Sequence, residues 1–192
     1  MSSEPGPTAA GKSSFDLVDA ERLFENLSLG PETNLLDVGS GVGNYTLAAA
    51  ERMGTEGNGR IYAVDLWKEG IAALEAEATR RGVTRIVPMV ADVGSTIPVD
   101  DESIDVCLIA TVLHDLVMDG THEGALREMR RVLRGDGILA VVEFEKVEGP
   151  PGPPVDIKLN PAELEQIVKK FGFDFTKLID VGPHHYLSLF AK

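Results

Sequence analysis

Apolar and polar positions alternate along this chain in a pattern that predicts strands and helices in turn. Short apolar runs are separated by longer segments whose apolar residues recur at helical spacing. The predicted strands lie at 34–38, 60–64, 85–90, 104–110 and 137–144, and the predicted helices at 16–29, 44–53, 67–81, 121–133 and 160–171. Two final apolar runs, 173–181 and 186–191, flank a Gly-Pro-His-His turn and predict an antiparallel pair of strands.

This alternation predicts an α/β fold with a Rossmann-like, doubly wound sheet and helices on both faces. The runs 104–110 and 138–142 are almost continuously apolar, as expected for parallel strands that are buried on both faces. Residues 1–14 are rich in Ser, Pro and Gly, so we expect a flexible N-terminal arm before a single domain at 15–192. Ligands of such sheets bind beyond the carboxyl ends of the strands.

Composition and charge narrow the classes of partner. Apolar residues make up 43% of the chain, and 31 acidic against 18 basic residues give a net charge of −13. This charge argues against nucleic acid and anionic membranes, which bind clustered Lys and Arg. The single cysteine, Cys107, lies in an apolar run, which predicts a buried thiol and excludes a cysteine-based metal site. Since there is no long apolar run and no signal-peptide pattern, we expect a cytoplasmic protein without membrane insertion and without a metal.

The segment 35–43 carries the strongest signal for a ligand. An apolar run contains Asp37 and is followed by Gly39, Gly41 and Gly43, after which a helical pattern begins. Glycine tolerates the backbone angles of a sharp turn from strand to helix and leaves no side chain where a ligand must approach the backbone. The start of the helix adds free N–H groups and a partial positive charge. We therefore predict that this turn binds a polar metabolite.

A second glycine-rich segment, residues 6–13, matches the phosphate-binding pattern G-x-x-x-x-G-K-S. That pattern binds phosphate when a buried strand precedes it and a helix follows it, and here only five residues precede it. We interpret the match as a coincidence in a Gly- and Ser-rich arm. Lys12 would still reach a substrate if the arm folds over the site.

Acidic residues follow the next two predicted strands. Asp65 ends the second strand, 22 residues after Gly43, and Asp92 follows the third. At the tip of the neighbouring strand, the Asp65 carboxylate would accept two hydrogen bonds from a ribose diol. Asp92 would accept from an adenine amino group, with the N–H of Val93 facing a ring nitrogen. An Asp at one such position is often only a cap or turn residue, whereas this combination indicates a nucleoside.

These motifs resemble those of the class I S-adenosylmethionine-dependent methyltransferases, over roughly residues 15–192. The glycine motif stands at 36–43, and 131–139 is similar to the family's motif at the fifth strand. The likeness is greatest to the small-molecule methyltransferases related to the quinone-biosynthesis enzymes. It implies seven strands, mostly parallel with the last antiparallel. It also implies transfer of the methyl group of S-adenosyl-L-methionine to a small-molecule acceptor by direct displacement, which leaves S-adenosyl-L-homocysteine.

The resemblance also implies which residues contact the cofactor. Asp65 matches the family's ribose-binding acid and Asp92 its adenine-contacting acid. Asp37 is expected to help hold the ammonium group of the methionine part, directly or through water. The full set of expected cofactor-binding residues is Asp37, Gly39, Ser40, Gly41, Gly43, Asn44, Asp65, Leu66, Asp92, Val93 and Ala110.

Two other functions are compared with this one. An NAD-dependent oxidoreductase would need Gly or Ala at position 44, which is Asn44, and its pyrophosphate would sit poorly near Asp37. The second alternative is a sensor or accessory module that binds S-adenosylmethionine without turnover. It is suggested by the short Pro- and Gly-rich segment 145–158, where larger relatives often carry insertions that cover the substrate.

Three residues near strand ends are candidates for a general base, which is needed when the acceptor must lose a proton. His114 follows the fourth strand, Glu143 ends the fifth, and His184 lies in the last turn. That turn shares the edge of the glycine loop if the sixth strand runs parallel to the fifth. The alternative role of His114 is packing or contact with the cofactor. The alternative for His184 is that it is an ordinary polar residue of a turn. The short segment 145–158 leaves the substrate site open or completed by a second copy, which allows a homodimer.

Overall fold

One seven-stranded sheet organises the computed structural model, which describes residues 11–192. The strands are β1 (Leu35–Val38), β2 (Ile61–Asp65), β3 (Ile86–Val90), β4 (Ile104–Ala110), β5 (Leu133–Phe144), β6 (Asp174–Asp180) and β7 (His185–Ala191). The helices are α1 (Ala20–Glu25), α2 (Asn44–Met53), α3 (Lys68–Arg81), α4 (Leu113–Met118), α5 (His122–Val132) and α6 (Pro161–Lys169), and a short 3₁₀ turn, Phe15–Leu17, precedes α1.

The strand order is β3-β2-β1-β4-β5-β7-β6, and β7 runs antiparallel to both of its neighbours. The predicted α/β, doubly wound sheet with an antiparallel last strand is confirmed. Helices α1, α2 and α3 pack on one face, and α4, α5 and α6 pack on the other. Leu35 packs against the helices of the first face and Leu36 against those of the second, because side chains alternate along a strand. The order of strands reverses between β1 and β4, so their carboxyl ends form the edge where ligands bind in this class of sheet.

The largest differences from the predicted elements are found at α1, β5 and α4. The predicted helix at 16–29 is divided, because Asp19 accepts a hydrogen bond from the N–H of Arg22 at 3.0 Å and starts α1 there as an N-cap. Strand β5 begins four residues earlier than predicted, since Leu133 pairs with Ile104 before a register shift. Helix α4 was not predicted, and its six residues begin at Leu113, separated by two residues from the end of β4 at Ala110.

The C-terminal part of the chain follows the prediction closely. Asn160 accepts from the N–H of Glu163, and the Glu163 carboxylate accepts from the N–H of Asn160, both at 2.9 Å. This capping box starts α6, as predicted. Phe144 pairs with His185 across β5 and β7, so the turn that joins β6 and β7 lies at the carboxyl edge of the sheet. The predicted position of that turn is confirmed.

The N-terminal residues that the structure describes pack onto the domain. Ser14 is buried, and the N–H of Asp19 donates to the carbonyl of Val181 at 2.8 Å. Residues 1–10 of the expected arm, and most of the phosphate-loop-like segment 6–13, lie outside the described residues. Cys107 is buried, as predicted. None of the helices in residues 11–192 has the length and the apolar composition that a membrane span requires.

Candidate functional site

A cavity of about 440 Å³ opens at the carboxyl edge of the sheet, beside the reversal of strand order between β1 and β4. Its walls are the turn from β1 to α2, the residues that follow β2, β3 and β4, and the helix α4. The described N-terminal residues from Gly11 to Ser14 cover part of it. Of the expected cofactor-binding residues, those that line it are Gly39, Ser40, Gly41, Asn44, Asp65, Leu66, Asp92, Val93 and Ala110.

Three glycines lie in the turn from β1 to α2, and each has a positive φ, of +73° at Gly39, +55° at Gly41 and +82° at Gly43. A Cβ atom at Gly39 would lie 2.7 Å from Val112, and one at Gly43 would lie 2.3 Å from Leu74, so these two glycines permit close packing within the fold. A Cβ atom at Gly41 would meet nothing within 4 Å. The backbone at Gly41 is therefore the part of the turn that a ligand can approach.

The carboxylate of Asp65 joins this turn to the end of β2. Its Oδ2 accepts the N–H of Gly41 at 2.8 Å, and its Oδ1 accepts the N–H of Trp67 at 2.7 Å. A carboxylate has about four acceptor positions, so each oxygen keeps capacity for one more donor. Because Asp65 lines the cavity, a diol placed there finds an acceptor whose orientation the backbone already fixes.

Asp92 and Val93 follow β3 and form another part of the cavity wall. Asp92 is exposed, and its Oδ1 accepts the N–H of Gly94 at 2.9 Å, which holds the carboxylate in an Asx turn. Val93 is buried and contributes to the apolar layer below the cavity. This wall therefore combines an apolar surface with one oriented acceptor.

Asp37 and Gly43 do not line the cavity. Asp37 is 2% exposed, and it accepts a hydrogen bond from the Thr46 hydroxyl at 2.5 Å, beneath the start of α2. Burial is the main reason why the pKa of Asp37 is raised to about 6, with a smaller contribution from the charge of Asp65. The structure thus places Asp37 outside the cavity lining, as a support of the start of α2 through Thr46, and its contact with an ammonium group, directly or through water, stays a prediction.

The charges around the cavity favour a cationic ligand. Four aspartates line it, namely Asp65, Asp92, Asp115 and Asp119, against one described cation, Lys12. A cavity lined mainly by one sign of charge attracts the opposite sign and repels its own. A sulfonium or ammonium ion suits this wall, whereas a pyrophosphate does not.

Three hydroxyl groups meet where the N-terminal segment lines the cavity. The sequence did not predict this cluster. Ser14 Oγ lies 2.8 Å from the Tyr45 hydroxyl and 2.9 Å from Thr111 Oγ1, which ties the N-terminal segment to α2 and to the residue after β4. Thr111 has a φ of +54°, an unusual value for a β-branched residue. Such strain persists only where the surroundings enforce it, and it often marks functional sites. The sequence carries no signal for it, because any residue type can follow a strand.

His114, in α4, and Glu143, near the end of β5, form a buried pair. The Nδ1 atom of His114 lies 2.7 Å from Glu143 Oε2, and the N–H of His114 donates to Oε1 at 3.1 Å. Burial opposes the charged imidazolium, but the hydrogen bond and charge of Glu143, with Asp115, outweigh it and raise the pKa of His114. The pair does not line the main cavity. His114 instead lines a second cavity of about 410 Å³, and Met118 lines both cavities.

The two histidines of the last turn have different surroundings. His184 is half-buried, lines neither cavity, and its carbonyl accepts the N–H of Glu145 at 2.8 Å. His185 is fully buried, its ring lies 4.4 Å from that of Phe144, and neither ring nitrogen has a partner within residues 11–192. Burial, with the charges of His184 and Lys158, lowers the pKa of His185 to about 4. His184 therefore lies outside both cavities, and its role as a general base stays a prediction.

The comparison with protein families identifies the class of protein. A family model described as a methyltransferase domain matches residues 36–141, which is more than half of the chain. This range contains the glycine turn, Asp65, Asp92 and α4. The chain belongs to this family, the class I S-adenosylmethionine-dependent methyltransferases. The resemblance found in the sequence is confirmed.

Individual relatives agree with this assignment. Over 121 residues, 62% of this chain, it is 33% identical to the ubiquinone/menaquinone biosynthesis C-methyltransferase UbiE of Paraburkholderia phymatum, and it spans 46% of that protein's length. A methyltransferase structure from Aquifex aeolicus has a TM-score of 0.83 at 24% identity, with 93% of this chain and 92% of that chain covered. The [4+2]-cyclase SpnF shares the fold with a TM-score of 0.73 at 21% identity, with 90% and 80% covered.

Proposed function

We propose that this protein binds S-adenosyl-L-methionine in the main cavity and transfers its methyl group to a small-molecule acceptor. The observation that carries the proposal is the meeting of the open Gly41 backbone and the oriented Asp65 carboxylate in one cavity. When bound, S-adenosylmethionine supplies a methyl group on a positively charged sulfonium, and direct displacement by the acceptor leaves S-adenosylhomocysteine.

The residues present fit this cofactor. The free space at Gly41 leaves room for a chain that lies against the backbone, and the remaining acceptor positions of Asp65 suit a ribose diol. Asp92 and Val93 offer an acceptor and an apolar surface to an adenine ring. The excess of carboxylates at the cavity suits a sulfonium and an ammonium group. Membership of the methyltransferase family supports the same assignment.

The second cavity is the proposed place of the acceptor. Met118 borders both cavities, so an acceptor in the second cavity would adjoin the cavity of the cofactor. His114 is proposed to take the proton of a hydroxyl or amine acceptor at its Nε2 atom. Glu143 accepts from Nδ1, which leaves the lone pair of a neutral imidazole on Nε2. Glu143 thus acts as a positioning residue for His114.

The fold alone does not decide the reaction, since the cyclase SpnF has it as well. The test is a transfer screen in which the chain and S-adenosylmethionine are incubated with phenols, quinols, amines and thiols. Formation of S-adenosylhomocysteine together with a methylated acceptor supports the proposal. Tight binding of S-adenosylmethionine with no transfer to any acceptor class supports a binding module without turnover.

A further inference from the structure

The second cavity has an unusual concentration of lysines for so acidic a chain. It lies between α4, the residues 156–159 and α6. Three lysines line it, Lys146, Lys158 and Lys170, against two carboxylates, Asp156 and Glu163. The whole chain has a net charge of −13, so this local excess of positive charge goes against the overall balance.

Lys158 is the most informative of these residues, because it is 2% exposed. Its ammonium group donates to the carbonyls of Val147 at 2.9 Å and Gly149 at 3.1 Å, and the Phe144 ring centroid lies 5.9 Å away. An ammonium group has three N–H donors, and only two have acceptors within the described chain. No carboxylate there forms an ion pair with Lys158. A buried charge without a partner is costly, so the third donor and the uncompensated charge indicate a ligand.

The other charged groups of the cavity do not neutralise Lys158. Lys146 is engaged by Glu163, with the Nζ atom 2.8 Å from Oε1. Lys170 is exposed and has no ion pair among residues 11–192, and the Asp156 carboxylate is exposed as well. Lys158 and Lys170 against Asp156 leave one positive charge in excess at this cavity.

We propose that the second cavity recognises a methyl acceptor through an anionic group, a carboxylate or a phosphate, held by Lys158 and Lys170. This inference rests on the proposed function, because it makes the second cavity the acceptor site. The anion would take the third N–H of Lys158, and charge-assisted hydrogen bonds of this kind are short and strong. The acceptor would extend from there toward His114 and Met118, on the side of the main cavity.

The test is an NMR titration of the ¹⁵N-labelled full chain, with and without S-adenosylhomocysteine. Benzoate and phenyl phosphate are the two anionic probes, and benzamide is the neutral match for benzoate. We expect saturable shifts of the backbone amides around Lys146, Lys158 and Lys170 with one or both anions, and none with benzamide. The anion that binds with the higher affinity shows whether the cavity prefers a carboxylate or a phosphate.

Variants connect the shifts to the residues. Lys158→Met is expected to weaken anion binding by about tenfold or more, as is Lys170→Gln, which changes an exposed residue and so keeps the test valid if Lys158→Met does not fold. Lys177→Gln, an exposed lysine on β6, is expected to bind the anions like the wild type. Equal shifts with benzamide, no saturable shift, or unchanged anion binding in folded Lys158→Met or in Lys170→Gln would overturn the inference. Loss of S-adenosylhomocysteine binding in the same samples bears on the proposed function instead.

Discussion

The backbone N–H of Gly41 donates to the Oδ2 atom of Asp65 at 2.8 Å, so the acid that ends β2 holds the glycine turn that follows β1. The two residues are separated by 24 positions and meet because β1 and β2 are parallel neighbours whose carboxyl ends share an edge. Asp65 therefore both shapes the turn and faces the cavity. A change at Gly41 tests whether the cofactor lies against the backbone of the turn, and a change at Asp65 tests the role of the carboxylate.

Replacing Gly41 by Ala is expected to weaken binding of S-adenosylhomocysteine about tenfold or more, because the new methyl group occupies the free space where the cofactor lies. The positive φ of +55° adds about 1 kcal/mol of strain to the folded protein. Gly82→Ala is the matched control, since Gly82 also has a positive φ, +70°, with nothing within 4 Å, at the far end of α3. If both variants bind S-adenosylhomocysteine like the wild type, the cofactor does not lie against Gly41.

Asp65→Asn is expected to reduce the free energy of S-adenosylhomocysteine binding by about 1.5–3 kcal/mol, because a charge-assisted contact to the ribose is lost. The amide oxygen can accept only one of the two N–H groups of Gly41 and Trp67 that the carboxylate accepts, so the thermal unfolding midpoint should also fall below that of Asp174→Asn, a change of an exposed residue at the start of β6. Calorimetry of both variants measures the effect. Equal affinities for Asp65→Asn and Asp174→Asn would contradict the assigned role.

Glu143→Gln is expected to lower kcat for a hydroxyl or amine acceptor by about 10²–10⁴-fold while leaving cofactor affinity unchanged. The glutamine amide donates to Nδ1 of His114, which moves the imidazole proton to Nε2 and removes the basic lone pair. Glu75→Gln, on the exposed side of α3, controls for the loss of a charge.

The pH profile gives a second readout of the same pair. Because Glu143 raises the pKa of His114, activity that needs neutral His114 should rise with pH through a midpoint above 6.5 in the wild type. A wild-type profile that is flat above pH 6, or a Glu143→Gln variant with full turnover, would remove His114 from the proposed mechanism.

His185 is expected to make the protein less stable in mild acid. Its pKa is about 4 in the folded protein against an ordinary 6.5, so the unfolded chain binds the proton first as the pH falls from 6.5 to 4. Each pH unit in that window costs up to about 1.4 kcal/mol of folding free energy. Urea unfolding at pH 7.5 and 5.0 should show a loss that is about 1–2 kcal/mol larger in the wild type than in His185→Leu. Identical pH dependence in the two proteins would show that His185 titrates normally.

The glycine turn and the acids after β2 and β3 were predictable because their signals are local. Glycine spacing reports positive φ, and the parallel order of strands brings their carboxyl ends together. The depth of Asp37 was not predictable, since a short strand covered on both faces does not show which polar residue lies beneath a helix.

The rest of the site depends on tertiary contacts. The positive φ of Thr111 and its link to Ser14 arise only when the N-terminal segment packs over β4. His114 was found as a candidate from its place after β4, but its pairing with Glu143 and its separation from the main cavity follow from the short α4. The break before α1 shows the same limit. The apolar pattern continues across Asp19 and predicts one helix, whereas Asp19 caps a new helix there.

The most direct test of the account is calorimetry of the full chain with S-adenosylmethionine, S-adenosylhomocysteine and NAD. We expect both sulfur compounds to bind at one site per chain, with dissociation constants on the order of micromolar, and NAD to give no binding heat. We expect the Gly41→Ala variant to lose most of that affinity. Binding of NAD without binding of either sulfur compound would contradict the central claim that the cavity beside Gly41 and Asp65 holds the methyl donor.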